Sequence, residues 1–206
     1  MLEELIIRTL ADTLPEGPLD ALFLFGQTED NQESGFAVAQ RLLEQGRVQK
    51  VLFLDTQPLS GYPGFERWHQ ELKNMGLPED KLEGIPGPGT DYLHTLLEAE
   101  AMVKHAKEKS YKSIAVAAAP FQQPRAFMAA VTAAHRFYPS LYLFSQPGKP
   151  LPWCHEATHS QGKVENTRAG LIAGELERIS KYNAKGDLNS VEEVLAYLNR
   201  RDTNQL

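Results

Sequence analysis

The amino-acid sequence predicts an α/β protein: a three-layer α/β/α, Rossmann-like sandwich with a mostly parallel sheet of about five strands and a C-terminal helical extension. The first observation is a set of short, continuous apolar runs, such as residues 21–25 and 114–119, which are typical of strands covered on both faces. The second is that segments with helical apolar spacing follow these runs, so strands and helices alternate. The third is a hydrophobic content of 42% in 206 residues, which suffices for one large core.

Local patterns justify each element in order. The predicted strands span residues 21–25, 51–54, 81–85, 114–119 and 141–144. The predicted helices span residues 2–10, 36–43, 65–75 and 91–109, a segment from 124, residues 163–185 and a segment from 190. Gly46 and Gly186 end two of these helices. Ser190 and Glu193 form a capping box that begins the last helix, and residues 145–161 are expected to be a long loop.

The element pattern predicts a single α/β domain over residues 1–206. Its core covers about residues 19–146, and the C-terminal loop and helices, residues 147–206, pack on that core. Two helices alone would bury too little surface to form a separate domain.

Charge and composition exclude several classes of partner. A net charge of −6 argues against nucleic acid, because phosphate backbones need a basic surface, but it leaves small anions open. The single Cys154 rules out an internal disulfide framework and fits a reducing compartment. The first residues lack the basic start of a signal peptide, and no run approaches the roughly twenty apolar residues of a membrane span. We therefore expect a cytoplasmic protein with no membrane or nucleic-acid partner.

The fold rule for open α/β sheets selects the candidate site. Ligands bind outside the carboxyl ends of the strands, so the residues that follow the predicted strands are the candidates. The ligand-binding candidates are Gly26, Gln27, Asp55, Gly89, Thr90, Phe121, Gln122, Arg125 and Trp153. Asp55 is also the catalytic candidate, as a base, although it can equally cap a turn. Trp153 is either an anchor for its loop or a stacking surface for a ligand.

Arg125 is the most informative candidate. It follows Pro124, which suits the first turn of a helix, so a cation stands at the positive end of the helix dipole. A cation placed there favours a function, most simply to hold an anion that the free N–H groups also attract. The alternative is an ordinary salt bridge on a solvated helix start.

The segment from His155 to His159 matches the zinc-peptidase pattern H-E-x-x-H, which works on a helix. Pro150 and Pro152 before it and Gly162 after it argue against a helix, so we expect a polar loop and no metal site. A metal held by Cys154 and the two histidines remains a weak alternative. His94, Glu98 and His105 are expected on a solvated face of the long helix. Dinucleotide, triphosphate and serine-hydrolase motifs are absent from the sequence.

Four short segments match a known family: Phe25-Gly26, residues 39–46, Gly89-Thr90 and residues 119–126. On the basis of these segments, the chain resembles the YdcF-like bacterial family over about residues 21–144. This family includes SanA and ElyC relatives and was formerly grouped as a domain of unknown function. In the last segment Arg125 and Ala126 match the family pattern and Phe121 stands at its aromatic position. The chain departs from the pattern where Gln122 stands near the family histidine, Gln27 replaces a glycine and Tyr92-Leu93 replaces Glu-Asn.

The resemblance implies a Rossmann-like sandwich and, from some relatives, binding of S-adenosylmethionine. Three hypotheses follow for function. The first is a protein that binds a small anionic or nucleotide-like ligand, such as S-adenosylmethionine or a phosphorylated compound, at the carboxyl edge of the sheet, with or without catalysis. The second is a non-catalytic interaction module, a possible homodimer, with a degenerate crevice. The third is a metal-dependent hydrolase that uses His155 and His159. The sequence identifies no cofactor.

Overall fold

A computed structural model describes residues 1–159 and 163–206 and contains the predicted parallel sheet. The five strands are β1 (Leu19–Leu24), β2 (Val48–Asp55), β3 (Leu82–Pro86), β4 (Ser113–Ala117) and β5 (Tyr142–Ser145), in the order β3-β2-β1-β4-β5. All four pairings are parallel. The apolar runs form the strands because both faces are covered: Leu22, Phe23 and Val51 are fully buried. The predicted fold class is confirmed.

Seven helices are found in the described part of the chain, and those next to the sheet complete a Rossmann-like sandwich. They are α1 (Leu2–Leu10), α2 (Gln32–Glu44), α3 (Phe65–Asn74), α4 (Thr95–Lys109), α5 (Gln123–Phe137), α6 (Arg168–Ala184) and α7 (Val191–Asp202). Right-handed crossovers place α2 and α3 on one face of the sheet and α4 and α5, which pack together, on the other. A short 3₁₀ turn, Glu79–Lys81, precedes β3.

The strand order reverses at β1, and this reversal positions the site. β1 pairs with β2 on one side and with β4 on the other, while the chain reaches β4 only after β2 and β3. The loops that leave β1 and β4 therefore diverge to opposite sides, which opens a crevice at the carboxyl ends of these two strands.

Two boundaries differ from the sequence prediction. The long helix begins at Thr95 and not at residue 91, because the His94 side chain accepts a hydrogen bond from the Leu97 N–H and caps the first turn. An antiparallel hairpin forms where the end of the expected loop and the start of the expected helix were predicted; its strands are β6 (Glu156–His159) and β7 (Val164–Thr167). Helix α6 consequently begins at Arg168, with Thr167 as its cap, and not near residue 163. The predicted loop residues 160 and 161 and Gly162 lie outside the described residues.

The C-terminal helices contact the helices that flank the sheet. Both α6 and α7 contact α5, and α7 also contacts α1. The predicted capping box is confirmed, since Ser190 and Glu193 hydrogen-bond to each other's backbone N–H groups. No helix in the described residues has the length and apolar character needed to cross a membrane.

Candidate functional site

A cavity of about 350 Å³ opens at the carboxyl ends of β1 and β4, where the strand order reverses. It lies between the β1–α2 loop, the start of α4, the start of α5 and the C-terminal hairpin with α6. The lining residues are Gly26, Gln27, Thr28, Ser60, Tyr62, Leu93, His94, Thr95, Glu98, Gln122, Arg125, His159, Lys163, Val164, Arg178 and Tyr182. This position is the one that the fold rule for open sheets selects.

Four of the predicted ligand-binding residues line this cavity: Gly26, Gln27, Gln122 and Arg125. The Gln27 side-chain amide donates to the Gln122 side-chain oxygen over 2.9 Å, so the loops after β1 and β4 are joined. Both glutamines are buried. The sequence thus locates the two strand ends that form the cavity.

The other predicted residues lie elsewhere. Asp55 is exposed at the end of β2, and Gly89 and Thr90 lie in the β3–α4 connection, where the Thr90 hydroxyl donates to the Tyr92 carbonyl. Phe121 and Trp153 line a separate recess of only about 10 Å³. None of these five residues is among those that line the main cavity within the described chain.

The only glutamate that lines the cavity among the described residues is Glu98, which the sequence analysis placed on a solvated face. That prediction is wrong for Glu98 and His105, which are 4% and 6% exposed, and right for His94, which is exposed. The buried side of α4 runs through Thr95, Glu98, Met102 and His105, spaced three or four residues apart. Because three of these four residues are polar, a search for apolar residues at helical spacing does not detect this buried side of the helix.

Glu98 is held at the end of β1 by the backbone. Its Oε2 accepts the Gly26 N–H over 2.6 Å, and a Cβ at Gly26 would lie 3.1 Å from the same oxygen. Burial raises the pKa of Glu98 to about 7, against the opposing effects of the Gly26 hydrogen bond and the Arg125 charge. A carboxyl group in this state is about half protonated at neutral pH and can donate a hydrogen bond or a proton.

Arg125 has a partner that the sequence analysis did not identify. Its Nε donates to Glu175 Oε2 over 2.6 Å, its Nη2 donates to Glu175 Oε1 over 3.2 Å, and its Nη1 donates to the Thr95 hydroxyl over 2.7 Å. Arg125 is 7% exposed and Glu175 is 2% exposed. The alternative of a salt bridge is therefore present, but it is buried and joins α5 to α6.

Glu175 also contacts two further side chains at the cavity. Its Oε1 also accepts from Arg178 Nη1 over 2.8 Å and lies 2.7 Å from His159 Nε2. Burial acts to raise the pKa of Glu175, but the charge of Arg125 and the hydrogen bonds from His159 and Arg125 outweigh it and lower the pKa to about 2. Glu175 is thus a fixed anion that orients its neighbours.

The result is a locally cationic wall in an acidic protein. Arg125, Arg178 and Lys163 line the cavity with three positive charges, of which Glu175 balances one. The whole chain carries a net charge of −6. Positive charge concentrated in one concave site of an acidic molecule is typical of sites that select small anions.

The His155–His159 segment does not form the helix of a zinc peptidase. Residues 156–159 form a strand, in which residues four positions apart lie about 13 Å from each other. In a helix the same two residues would lie on one face, about one turn apart, as the zinc-peptidase pattern requires. His155 is exposed, whereas His159 is buried against Glu175 and the edge of the Phe121 ring. Within the described residues, no group of three or more His, Cys, Asp or Glu side chains is arranged to hold a metal ion.

A second cavity of about 240 Å³ adjoins the first. The two share His94, Thr95, Arg125 and Tyr182. The remaining lining is mostly apolar, from Tyr92, Leu96, Ala129 and Leu188, with the Asp187 side chain among them. A polar cavity with cations and an aromatic, apolar cavity therefore meet at one wall.

The sequence analysis named His159, which lines the cavity, only as a weak metal candidate, and it missed three other C-terminal residues of the site. Lys163, Glu175 and Arg178 lie far along the chain from the strand ends, and no rule on strand ends selects them. The only available signal was the unpartnered cation at the start of α5, which requires a nearby anion once it is buried.

Comparison of the chain with protein-family models, curated proteins and solved structures gave no match in any of the three searches.

Proposed function

We propose that the protein binds a small anionic ligand, such as a phosphorylated or nucleotide-like compound, in the cavity at the carboxyl ends of β1 and β4. The observation that carries this proposal is that Arg125, Arg178 and Lys163 all line one cavity of a chain with net charge −6. Guanidinium groups suit such ligands because their forked N–H donors match phosphate and carboxylate oxygens.

The uncharged groups of the cavity support the same ligand class. The Thr95 hydroxyl and the Gln122 amide line the same cavity as the cations, whereas the Thr28 hydroxyl already donates to the Thr158 carbonyl. The protonated form of Glu98 adds a donor where a charged carboxylate would repel an anion. A site of this composition provides both charge and several hydrogen-bond donors for one small polar group.

Arg178 is the most informative residue to change. Arg125 is buried in an ion pair, so its removal would leave the carboxylate of Glu175 with fewer partners and damage the fold. The Arg178 side chain is 22% exposed, and its only side-chain hydrogen bond among the described residues is the one to Glu175. Its removal therefore weakens ligand binding more than it weakens folding.

We expect the Arg178→Ala variant to bind inorganic phosphate at least about tenfold more weakly than the wild type, since one charge-assisted hydrogen bond contributes about 1.5–3 kcal/mol. Isothermal titration calorimetry at fixed ionic strength measures the change. The matched control is Lys107→Ala, which removes an exposed cation on α4 outside the cavity and should bind as the wild type does.

A wider panel identifies the ligand class. Thermal shifts with nucleotides, sugar phosphates and S-adenosylmethionine follow the phosphate titration, because a ligand at a hundred times its dissociation constant stabilises the fold by about 2.7 kcal/mol. Equal affinity of the wild type and Arg178→Ala for phosphate, or no binding at all, would reject the proposal in favour of a non-catalytic interaction module. Stoichiometric zinc in the purified protein would instead support the metal-dependent alternative.

A further inference from the structure

We propose that the cavity is catalytic and hydrolyses a small phosphoric monoester, with Glu98 as the general acid. This proposal rests on the proposed function, because it takes the cationic wall as the site of the phosphoryl group. It adds a reaction, a substrate class and a catalytic residue, in place of Asp55, which lies outside the cavity.

The geometry of Glu98 supports the assignment first. The side chain is 4% exposed and lines the cavity, and one oxygen, Oε2, is fixed by the Gly26 N–H. The other oxygen, Oε1, has no hydrogen-bond partner among the described residues, yet it is not among their fully enclosed unpaired atoms. It therefore faces the cavity, available to a bound molecule.

The surroundings of Glu98 suit proton donation. Burial favours its neutral form, and the charge of Arg125 acts against this effect. The other charged and titratable groups that line the same cavity are Tyr62, His94, His159, Lys163, Arg178 and Tyr182. Burial and the charges of Glu98 and Asp55 raise the pKa of Tyr62, so that phenol stays neutral and does not compete as a base. A carboxyl group with a pKa near the working pH is the form that general acid catalysis requires.

Two buried acids near the site differ in protonation state. Glu175 is ionised and holds the arginines in place, whereas Glu98 is about half protonated at neutral pH. Pairs of carboxyl groups whose surroundings separate their pKa values in this way mark acid and base roles in enzymes. Here the ionised Glu175 is paired with Arg125, so Glu98 is the group available to react.

The reaction balances without a further reactant apart from water. The phosphoryl group lies against Arg125, Arg178 and Lys163, a water oxygen forms a bond to phosphorus, and the bond from phosphorus to the ester oxygen breaks. The electron pair of that bond goes to the ester oxygen, which takes the proton of Glu98 and leaves as an alcohol. The attacking water gives one proton to solvent and keeps the other on the phosphate that leaves, and the Glu98 carboxylate regains a proton from solvent.

The adjoining apolar cavity indicates where the alcohol lies. It shares the Arg125 and Thr95 wall with the first cavity and presents Tyr92, Tyr182 and Leu188. The Tyr92 and His94 rings lie 5.8 Å apart at 30°, as a tilted pair on this side. An alcohol with an aromatic or apolar body fits this lining, so aryl phosphates are suitable probes.

The test compares two esters of matched shape, phenyl phosphate and p-nitrophenyl phosphate, in the wild type and in Glu98→Gln. Nitrophenolate leaves readily without protonation, whereas phenolate needs the acid. We expect Glu98→Gln to lower kcat for phenyl phosphate by about 100-fold or more and for p-nitrophenyl phosphate far less. The wild-type rate should fall above about pH 7, and this fall should be absent in the variant. Glu108→Gln, an exposed change on the same helix, is the control.

Each other outcome overturns a defined part of the account. Binding of inorganic phosphate without release of phosphate from either ester would overturn the catalytic proposal and leave the proposed function standing. An equal loss of rate on both esters, with an unchanged pH profile, would assign Glu98 a purely structural role. Absence of phosphate binding in the wild type would reject the proposed function itself.

Discussion

Glu175 shows how one buried side chain organises the candidate site. It accepts hydrogen bonds from Arg125 and Arg178 and contacts His159 while only 2% exposed. A carboxylate so deeply buried is stable only when it is paired, and its partners are the groups that line the cavity. The same contacts that stabilise the fold therefore orient the proposed anion site.

The stability of the protein should depend on Glu175 in a defined pH range. Its pKa falls from 4.5 to about 2 on folding, so its ionised form stabilises the folded state above about pH 4.5, and this contribution is lost as the pH falls through about 2. We expect Glu175→Gln to lower the free energy of unfolding by about 3 kcal/mol at pH 7, because Arg125 loses the carboxylate with which it pairs. The difference from the wild type should shrink below pH 4.5. Urea unfolding at a series of pH values measures it.

The neighbouring exposed acid Glu177 provides the control. Glu177→Gln should unfold as the wild type does at every pH. A constant difference between Glu175→Gln and the wild type across the range would show that the carboxylate charge is not the source of the stability.

At the scale of elements, α7 is attached to the sheet by one buried ion pair. Arg201 donates to both oxygens of Asp12, over 2.6 and 2.7 Å, and to the carbonyl of Leu143 in β5 over 2.9 Å. The side chains of Arg201 and Asp12 are 3% and 5% exposed. Tyr197 adds hydrogen bonds to the backbone of Leu141 and Leu143. The last helix is therefore part of the core structure and not a removable appendage.

We expect Arg201→Ala to lower the free energy of unfolding by about 3–5 kcal/mol, because the change leaves Asp12 buried without its partner. Chemical denaturation monitored by circular dichroism measures the loss. Arg200→Ala, the exposed neighbour on the same helix, should change stability little. Similar denaturation midpoints for the two variants would contradict this role of Arg201.

The elements also show what the sequence can and cannot predict. Apolar runs and helical spacing predict the five strands and the capping box of α7, because burial on both faces of a strand and local capping leave direct patterns. The hairpin of β6 and β7 was missed because its strands are four residues each and largely polar, with Ala157 and His159 the buried residues of β6. Short polar strands resemble loops in sequence.

The sequence likewise predicts some residues of the candidate site and not others. Gly26, Gln27, Gln122 and Arg125 follow from the rule on strand ends. Lys163 and Arg178 come from the C-terminal segment, whose position on the sheet is set by long-range packing that no local pattern encodes. Glu98 was misplaced because a polar residue on the buried side of a helix resembles a solvated one until its partner, the Gly26 N–H, is known.

At the scale of the whole molecule, the distribution of charge is the basis of the account. The chain has a net charge of −6, yet Arg125, Arg178 and Lys163 line one concave site, which under the proposed function attracts anions. The site lies where the sheet topology reverses, so fold and charge select the same place independently. The central claim is that small anions bind there and not at other cationic positions on the surface.

The most direct test is an NMR titration of the ¹⁵N-labelled protein with inorganic phosphate, in which the chemical shifts of the backbone amides are measured. The account predicts saturable shifts for Gly26, Gln27, Thr95 and Gln122, with one common dissociation constant, while the amide of Lys107 on the exposed side of α4 stays unchanged. Shifts that do not saturate, or that map to residues away from this cavity, would contradict the central claim.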